Sequence, residues 1–155
     1  MKYKALASLL VLIAVVYFPL AARAEIKGTF KGNGKDATLA YLNARKGEPF
    51  SGEDTVVLTF TEKDPGADKK PDMKALFGDY GSALVVKITK TGKLIGTEVS
   101  HAALSKRPFS SIGTMKLEGF AWDATGVSGK LSMPAPDEFF GDTWQVNLEF
   151  KAPLQ

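Results

Sequence analysis

The sequence contains no cysteine and only one histidine, His101. The absence of cysteine excludes disulfide bonds, thiolate metal sites, covalent haem attachment, a lipid-modified N-terminal cysteine and cysteine catalysis. A single histidine also supplies too few nitrogen ligands for a histidine-based metal site. Packing alone must therefore stabilise the fold, and we predict neither a metal nor a cofactor.

The first 24 residues have the composition of a secretory signal peptide. Lys2 and Lys4 precede an apolar run from residue 5 to residue 20, and Ala22-Arg23-Ala24 places small residues where a signal peptidase reads them. The apolar run is shorter than the roughly 20 residues that span a bilayer. We predict cleavage after Ala24, a periplasmic or secreted location, and no membrane insertion of the rest of the chain.

Removal of this segment makes the chain electrically neutral. The whole sequence has 20 basic and 17 acidic residues, and three basic ones, Lys2, Lys4 and Arg23, precede residue 25. Residues 25–155 therefore have 17 residues of each sign, in a length typical of a single domain. A neutral domain has no electrostatic reason to bind nucleic acid, so we expect an envelope protein or a small ligand as its partner.

Residues 25–155 are dominated by short segments in which apolar and polar residues alternate between turn signals. "GNGK" (32–35) is a hairpin turn signal, and "WQVNLEF" (144–150) alternates throughout. "VVLTF" (56–60) and "LVVKI" (84–88) alternate little, which predicts central strands buried on both faces. The pattern predicts an all-β fold of about eight strands, either an antiparallel β-sandwich or a small closed barrel.

One helix signal interrupts the strands. Met73, Leu76 and Phe77 follow Asp72 at helical spacing, and Asp72 is a typical capping residue. We predict one short helix over residues 73–80 that covers an end or edge of the β-structure, with Leu76 and Phe77 facing inward.

Two other polar features have simple structural interpretations. His101 has no orienting acid and no nucleophile-elbow motif around it, so we interpret it as a surface or edge-strand histidine. Asp64, Asp68 and Asp72 recur every four residues, but the lysines between them do not fit the alternate oxygen ligands of a calcium loop. We interpret that segment as a solvated connector.

The segment "SMPAPDEFFGDTW" (132–144) contains the candidate ligand or partner surface. Its members are three acids and three aromatic residues: Asp137, Glu138, Phe139, Phe140, Asp142 and Trp144. An extended segment buries only one of two adjacent phenylalanines. We favour a helical turn that packs both rings near the tryptophan, and the alternative is an exposed aromatic tip that recognises a partner. We assign no catalytic residue.

The stretches "GTFKGNGKDATLAYLNARKG" and "DTVVLTFTEKD" suggest a family resemblance. They combine a Gly-x-aromatic strand, a Gly-Lys turn and a Val-Val-Leu-Thr strand. Over roughly residues 28–64 the chain resembles an exported bacterial β-rich domain family of unknown function. The resemblance implies a soluble exported β-domain and transfers no catalytic residue.

These observations predict a periplasmic, non-enzymatic binding or protein-interaction module. Export, neutral charge and the missing catalytic constellation all favour it. The first alternative is a carrier that holds a small apolar ligand in a barrel-like core. The second is a hydrolase that uses the acids of residues 137–142 for acid–base chemistry.

Overall fold

The computed structural model describes residues 23–155, so the predicted signal peptide lies outside the described residues except for Arg23 and Ala24. The described residues form eleven strands and one short helix. In chain order these are β1 (Glu25–Gly32), β2 (Lys35–Ala37), β3 (Tyr41–Lys46), β4 (Thr55–Thr61), α1 (Asp72–Leu76), β5 (Ala83–Thr89), β6 (Leu94–Ser100), β7 (Phe109–Ser110), β8 (Lys116–Asp123), β9 (Gly126–Ser132), β10 (Asp137–Phe139) and β11 (Asp142–Ala152).

The strands form two antiparallel sheets. Sheet A has the order β2-β1-β11-β9-β8, with β10 also paired to β11, and sheet B has the order β3-β4-β5-β6-β7. The sheets pack against each other, as shown by the rings of Phe60 in sheet B and Phe150 in sheet A, whose centroids lie 5.8 Å apart. The predicted all-β fold is therefore confirmed, with two packed sheets and no closed barrel in the described residues.

The strand count exceeds the predicted eight because three strands are very short. β2 and β10 have three residues each and β7 has two. Segments of this length carry too little alternation to be recognised in a sequence.

The two sheets bury their residues differently. In β11 the alternate residues Trp144, Val146 and Leu148 face the core, while the residues between them are exposed or half-buried. Every residue of β4 is buried, and all of β5 except Lys87 is buried. The prediction of central strands covered on both faces is confirmed for these two strands.

Helix α1 packs against β4, β5 and β6 of sheet B. It lies on the outer face of that sheet, because its Asp72 contacts Arg45, which follows the core residue Ala44 in β3 and so points away from the core. A membrane-spanning helix is absent from residues 23–155.

The predicted details of the helix are partly wrong. The helix has one turn, and Ala75 is its fully buried residue, while Leu76 is half-buried and Phe77 is 72% exposed. Phe77 points outward because it follows Met73 by four residues and so lies on the same side of the helix axis as Met73, which is 61% exposed, while Ala75 faces the sheet. Asp72 makes no cap hydrogen bond; its Oδ1 accepts a hydrogen bond from Arg45 Nη2 at 2.8 Å.

Candidate functional site

Three connections meet at one end of the sandwich. They are the β1–β2 turn (33–34), the loop between β6 and β7 (101–108), and the β10–β11 turn (140–141). Asp142, the first residue of β11, contacts the other two connections, and we call this place the Asp142 junction. Most of the candidate surface predicted from the sequence lies on or beside it.

The carboxylate of Asp142 accepts four hydrogen bonds although the residue is only 6% exposed. Its Oδ1 accepts from Asn33 Nδ2 at 2.8 Å. Its Oδ2 accepts from the backbone N–H of Ser105 at 2.7 Å, the Ser105 hydroxyl at 2.8 Å and the backbone N–H of Lys106 at 3.1 Å. The Asn33 side chain, followed by Ser105 and Lys106, lowers the pKa of Asp142 to about 2. The carboxylate is therefore ionised at neutral pH.

Asn33 connects the first turn to the third. Its backbone N–H donates to the carbonyl oxygen of Thr143 at 2.8 Å, and its Oδ1 accepts from the Thr143 N–H at 2.8 Å. Its Nδ2 also donates to the carbonyl oxygen of Ala103 at 3.0 Å. One asparagine side chain thus holds three segments that are distant in the sequence.

The β10–β11 hairpin differs from the favoured prediction. Phe139 pairs with Asp142, so only Phe140 and Gly141 form the turn. Both have positive φ angles, 51° and 84°, as in a type I′ hairpin turn. The predicted helical turn is therefore wrong, because strand pairing continues up to Phe139 and leaves only two residues for the turn.

The two phenylalanines consequently separate. Phe139 is half-buried and stacks on Phe109, with ring centroids 4.1 Å apart, and Phe109 in turn packs edge to face on Trp144 at 5.8 Å. Trp144 is 1% exposed, whereas Phe140 is 79% exposed and its ring stands nearly perpendicular to that of Phe139, with the ring centroids 4.7 Å apart. A row of aromatic rings therefore extends from the core to the tip of the hairpin.

The carboxylates of this segment are not arranged as a catalytic pair. Asp137 and Glu138 are adjacent in β10, so their side chains leave opposite faces of the strand. The oxygens of Asp142 are occupied by donors of the protein itself. Within residues 23–155 no group of three or more histidines and acids is placed to hold a metal ion.

His101 is 2% exposed, so its interpretation as a surface histidine is wrong. Its ring packs edge to face on Phe30 at 5.0 Å, and Nδ1 accepts a hydrogen bond from the Ala103 N–H at 3.0 Å. Burial lowers the pKa of His101, so the imidazole is neutral, with its proton on Nε2. That nitrogen is buried without a hydrogen-bond partner among the described residues.

One residue that makes this burial possible, Gly32, was interpreted only as part of a turn in the predictions. Gly32 lies against the His101 ring, and a Cβ added to Gly32 would lie 2.5 Å from Nδ1. The glycine of "GNGK" therefore provides space for the imidazole in addition to entering a turn. Asn33 and Ser105 were likewise missed as partners of Asp142, because nothing in the local pattern indicates contacts across such sequence distances.

The interior and the surface grooves bear on the carrier hypothesis. The large side chains Phe30, Phe60 and Trp144 are fully buried and pack between the sheets. A groove of about 470 Å³ lies outside the core beside the β8–β9 turn, with the charged residues Asp123 and Lys151 in its walls. Its charged walls suit a polar ligand better than an apolar one.

Comparison of the chain with protein-family models, with curated proteins and with solved structures finds no match.

Proposed function

We propose that the protein is a non-enzymatic interaction module of the bacterial periplasm, which binds an envelope protein through the tip of the β10–β11 hairpin. Phe140 is the anchor of this surface. The observation that carries the proposal is the placement of a phenylalanine, 79% exposed, in a left-handed backbone conformation.

This placement is unfavourable for folding alone. A non-glycine residue in the left-handed region costs roughly 1–2 kcal/mol, and asparagine or aspartate tolerates it better than an aromatic residue. An exposed ring also gains little from burial. A partner that covers the ring would supply the burial that the isolated domain does not.

Aromatic packing and the hydrogen bonds of the Asp142 junction hold the tip of the hairpin in place. Phe139 stacks on Phe109, which packs on Trp144, and the Asp142 junction fixes the first residue of β11. An anchor held in its binding conformation loses little entropy when it binds. Buried aromatic anchors supply much of the affinity at protein interfaces.

The surroundings of Phe140 also resemble a binding surface. Lys106 and Arg107 are exposed in the loop next to the junction, and Glu138 is exposed on β10. Pro134, Ala135 and Pro136, which precede β10, are exposed as well. An apolar centre with a polar rim is typical of transient protein interfaces.

The alternatives have less support. A hydrolase would need acids or bases that converge, whereas Asp137 and Glu138 leave opposite faces of β10 and Asp142 is fully hydrogen-bonded. A carrier would need an apolar space between the sheets, where the buried aromatic rings pack instead. The periplasmic location rests on the signal peptide predicted over residues 1–24.

The test compares two exposed phenylalanines. The Phe140→Asn and Phe77→Asn variants each replace one exposed ring, and only the first ring lies on the hairpin tip. We expect the wild type and Phe77→Asn to retain the same envelope proteins in a pull-down from periplasmic extract, and Phe140→Asn to lose them. Retention of the same proteins by Phe140→Asn would refute the proposal.

Native mass spectrometry of the purified protein tests the carrier alternative. A small molecule that stays bound to the protein would favour the carrier over the interaction module.

A further inference from the structure

In the described residues five strands pair on one side only, and four of them offer little free backbone to another chain. β2 and β10 have three residues each and β7 has two. Beside β3, the Gln155 N–H donates to the carbonyl oxygen of Ala44 at 2.9 Å, and Asn43 Nδ2 donates to Gln155 Oε1. Residues at the end of the sequence thus already use part of that edge.

β8 is different. It has eight residues and pairs only with β9, so the backbone groups of its other side have no strand partner in the described residues. Leu117, Phe120 and Trp122 pack on the core but remain half-exposed, because no strand lies beyond them. Free edges of this kind accept additional strands.

A bulge lies in the middle of β8. Residues 116–118 pair with residues 130–132 and residues 121–123 pair with residues 126–128, while Gly119 and Phe120 interrupt the register. Bulges often protect an edge by twisting it. Here the bulge divides the strand into two paired segments of equal length, so each segment can pair in full with the other segment of a second copy.

We infer that β8 pairs antiparallel with β8 of a second copy of the chain, about a two-fold axis between Gly119 and Phe120. In this register the two bulges meet at the axis, and the flanking segments pair without a shift. Lys116 then lies opposite Asp123 of the partner subunit, which gives two symmetry-related ion pairs. Charge complementarity along the strand therefore favours a second copy as the occupant.

The apolar residues agree with the same register. Leu117 pairs with the core residue Leu131 and Trp122 pairs with the core residue Val127, so both lie on the inner face of sheet A. The proposed pairing places Leu117 beside Trp122 of the partner subunit on that face. Cross-strand pairs of this kind stabilise a sheet, and the two copies of sheet A form one continuous sheet.

The dimer is expected to be weak. One pair of short strands buries less than the roughly 1,200 Å² of stable interfaces. We expect reversible association with a dissociation constant in about the micromolar range. The inference does not depend on the proposed hairpin-tip function, since β8 and the tip contribute different residues.

The absence of cysteine permits a register-specific test by disulfide trapping. In the proposed pairing Glu118 lies opposite Ala121 of the partner subunit. The Glu118→Cys and Ala121→Cys variants, each expressed as the full-length chain and purified, are mixed under mild oxidation. We expect a disulfide-linked heterodimer to form in the mixture faster than either homodimer forms alone. Equal rates of all three would overturn the inference.

The matched control mixes Lys130→Cys with Glu118→Cys, since Lys130 is exposed on β9 beside Glu118 of its own subunit and outside the proposed interface. We expect little cross-linking, because Lys130 of one subunit and Glu118 of the other are separated by β8 and by about three residues along the strands, at roughly 3.3 Å per residue. Cross-linking as fast as in the first mixture would indicate random collision and would contradict the proposed pairing.

Sedimentation velocity supplies an independent readout. Lys116→Glu places a glutamate opposite Asp123 of the partner subunit at two symmetric positions, and we expect association to weaken by about tenfold or more. Lys27→Glu makes the same charge change on β1 of sheet A, away from β8, and should leave the dimer intact. A wild-type protein that stays monomeric across the micromolar range would refute the inference. The same result would be obtained if β8 accepted a strand of a different protein, and the inference of a dimer would then also be wrong.

Discussion

Two hairpin turns of this molecule have nearly the same backbone and different residues. Asn33 and Gly34 have φ angles of 48° and 74°, and Phe140 and Gly141 have φ angles of 51° and 84°. Asn33 is a residue type that accepts this conformation readily, and its side chain donates and accepts hydrogen bonds within the protein. Phe140 has neither advantage, and its ring is exposed.

The difference between Asn33 and Phe140 shows which features of these turns are required for folding and which are only tolerated. Both turns need a positive φ at their first position, and Asn33 shows how this protein meets that need when only stability matters. Phe140 meets the same need at a higher cost in free energy. Because the two turns are joined through Asp142 and Thr143, the stable turn also supports the costly one.

Removal of the Asp142 carboxylate, which connects the two turns, should have the largest effect on the stability of the protein. Asp142→Ala leaves the donors of Asn33, Ser105 and Lys106 without their acceptor, and we expect the Tm to fall by about 10 °C. Thermal unfolding followed by circular dichroism measures the change. A Tm close to that of the wild type would show that the junction does not stabilise the hairpin.

Acid should reproduce part of this effect. The pKa of Asp142 is about 2 in the folded protein and 3.8 in its ordinary state, so between these pH values the unfolded chain binds more protons. The stability contributed by the Asp142 carboxylate is therefore present above about pH 4 and is lost as the pH falls towards 2. Asp142→Asn removes the titrating group, and its stability should depend less on pH over this range. Identical acid profiles of the two proteins would contradict the assignment.

Substitutions of Asn33 separate two contributions of the first turn to stability, namely the side-chain hydrogen bonds and the tolerance of a positive φ angle. Asn33→Gly keeps the backbone conformation and removes the side-chain hydrogen bonds, which should cost roughly 1–2 kcal/mol in the free energy of unfolding. Asn33→Ala also introduces the left-handed strain, which adds about 1–2 kcal/mol. Urea unfolding of both variants gives the two values. Equal stability of the two would mean that the positive φ is not required at this turn.

Much of the fold could be predicted because the determining signals are local. Alternation indicated the strands of sheet A, and its absence in "VVLTF" and "LVVKI" indicated strands covered on both faces. Phe77 was assigned inward because it follows Met73 at helical spacing, but both residues are exposed and Ala75 faces the sheet. A one-turn helix has too few residues for its period to define a face.

The candidate site was predicted only in outline because its contacts are not local. The segment 137–144 was identified from its composition, but Asp142 contacts Asn33 and Ser105, which are far away in the sequence. The burial of His101 depends on Phe30 and the space beside Gly32 in another strand. At Phe140 a local signal existed, a residue followed by glycine between two strands, but phenylalanine is not a residue that hairpin turns favour.

The substitution with the smallest expected effect on stability is the most direct test of the comparison between the two turns. Phe140→Asn gives the second turn the residues of the first, and we expect the free energy of unfolding to rise by about 0.5–1 kcal/mol because asparagine tolerates the positive φ. The edge contact with Phe139 is lost in the variant, which limits the gain. Urea unfolding of the variant beside the wild type measures the difference. A decrease in stability would mean that the Phe140 ring contributes to folding, and its exposure would then no longer point to a partner. A gain in stability, together with loss of the captured envelope proteins, would identify Phe140 as a residue retained for binding at the expense of stability.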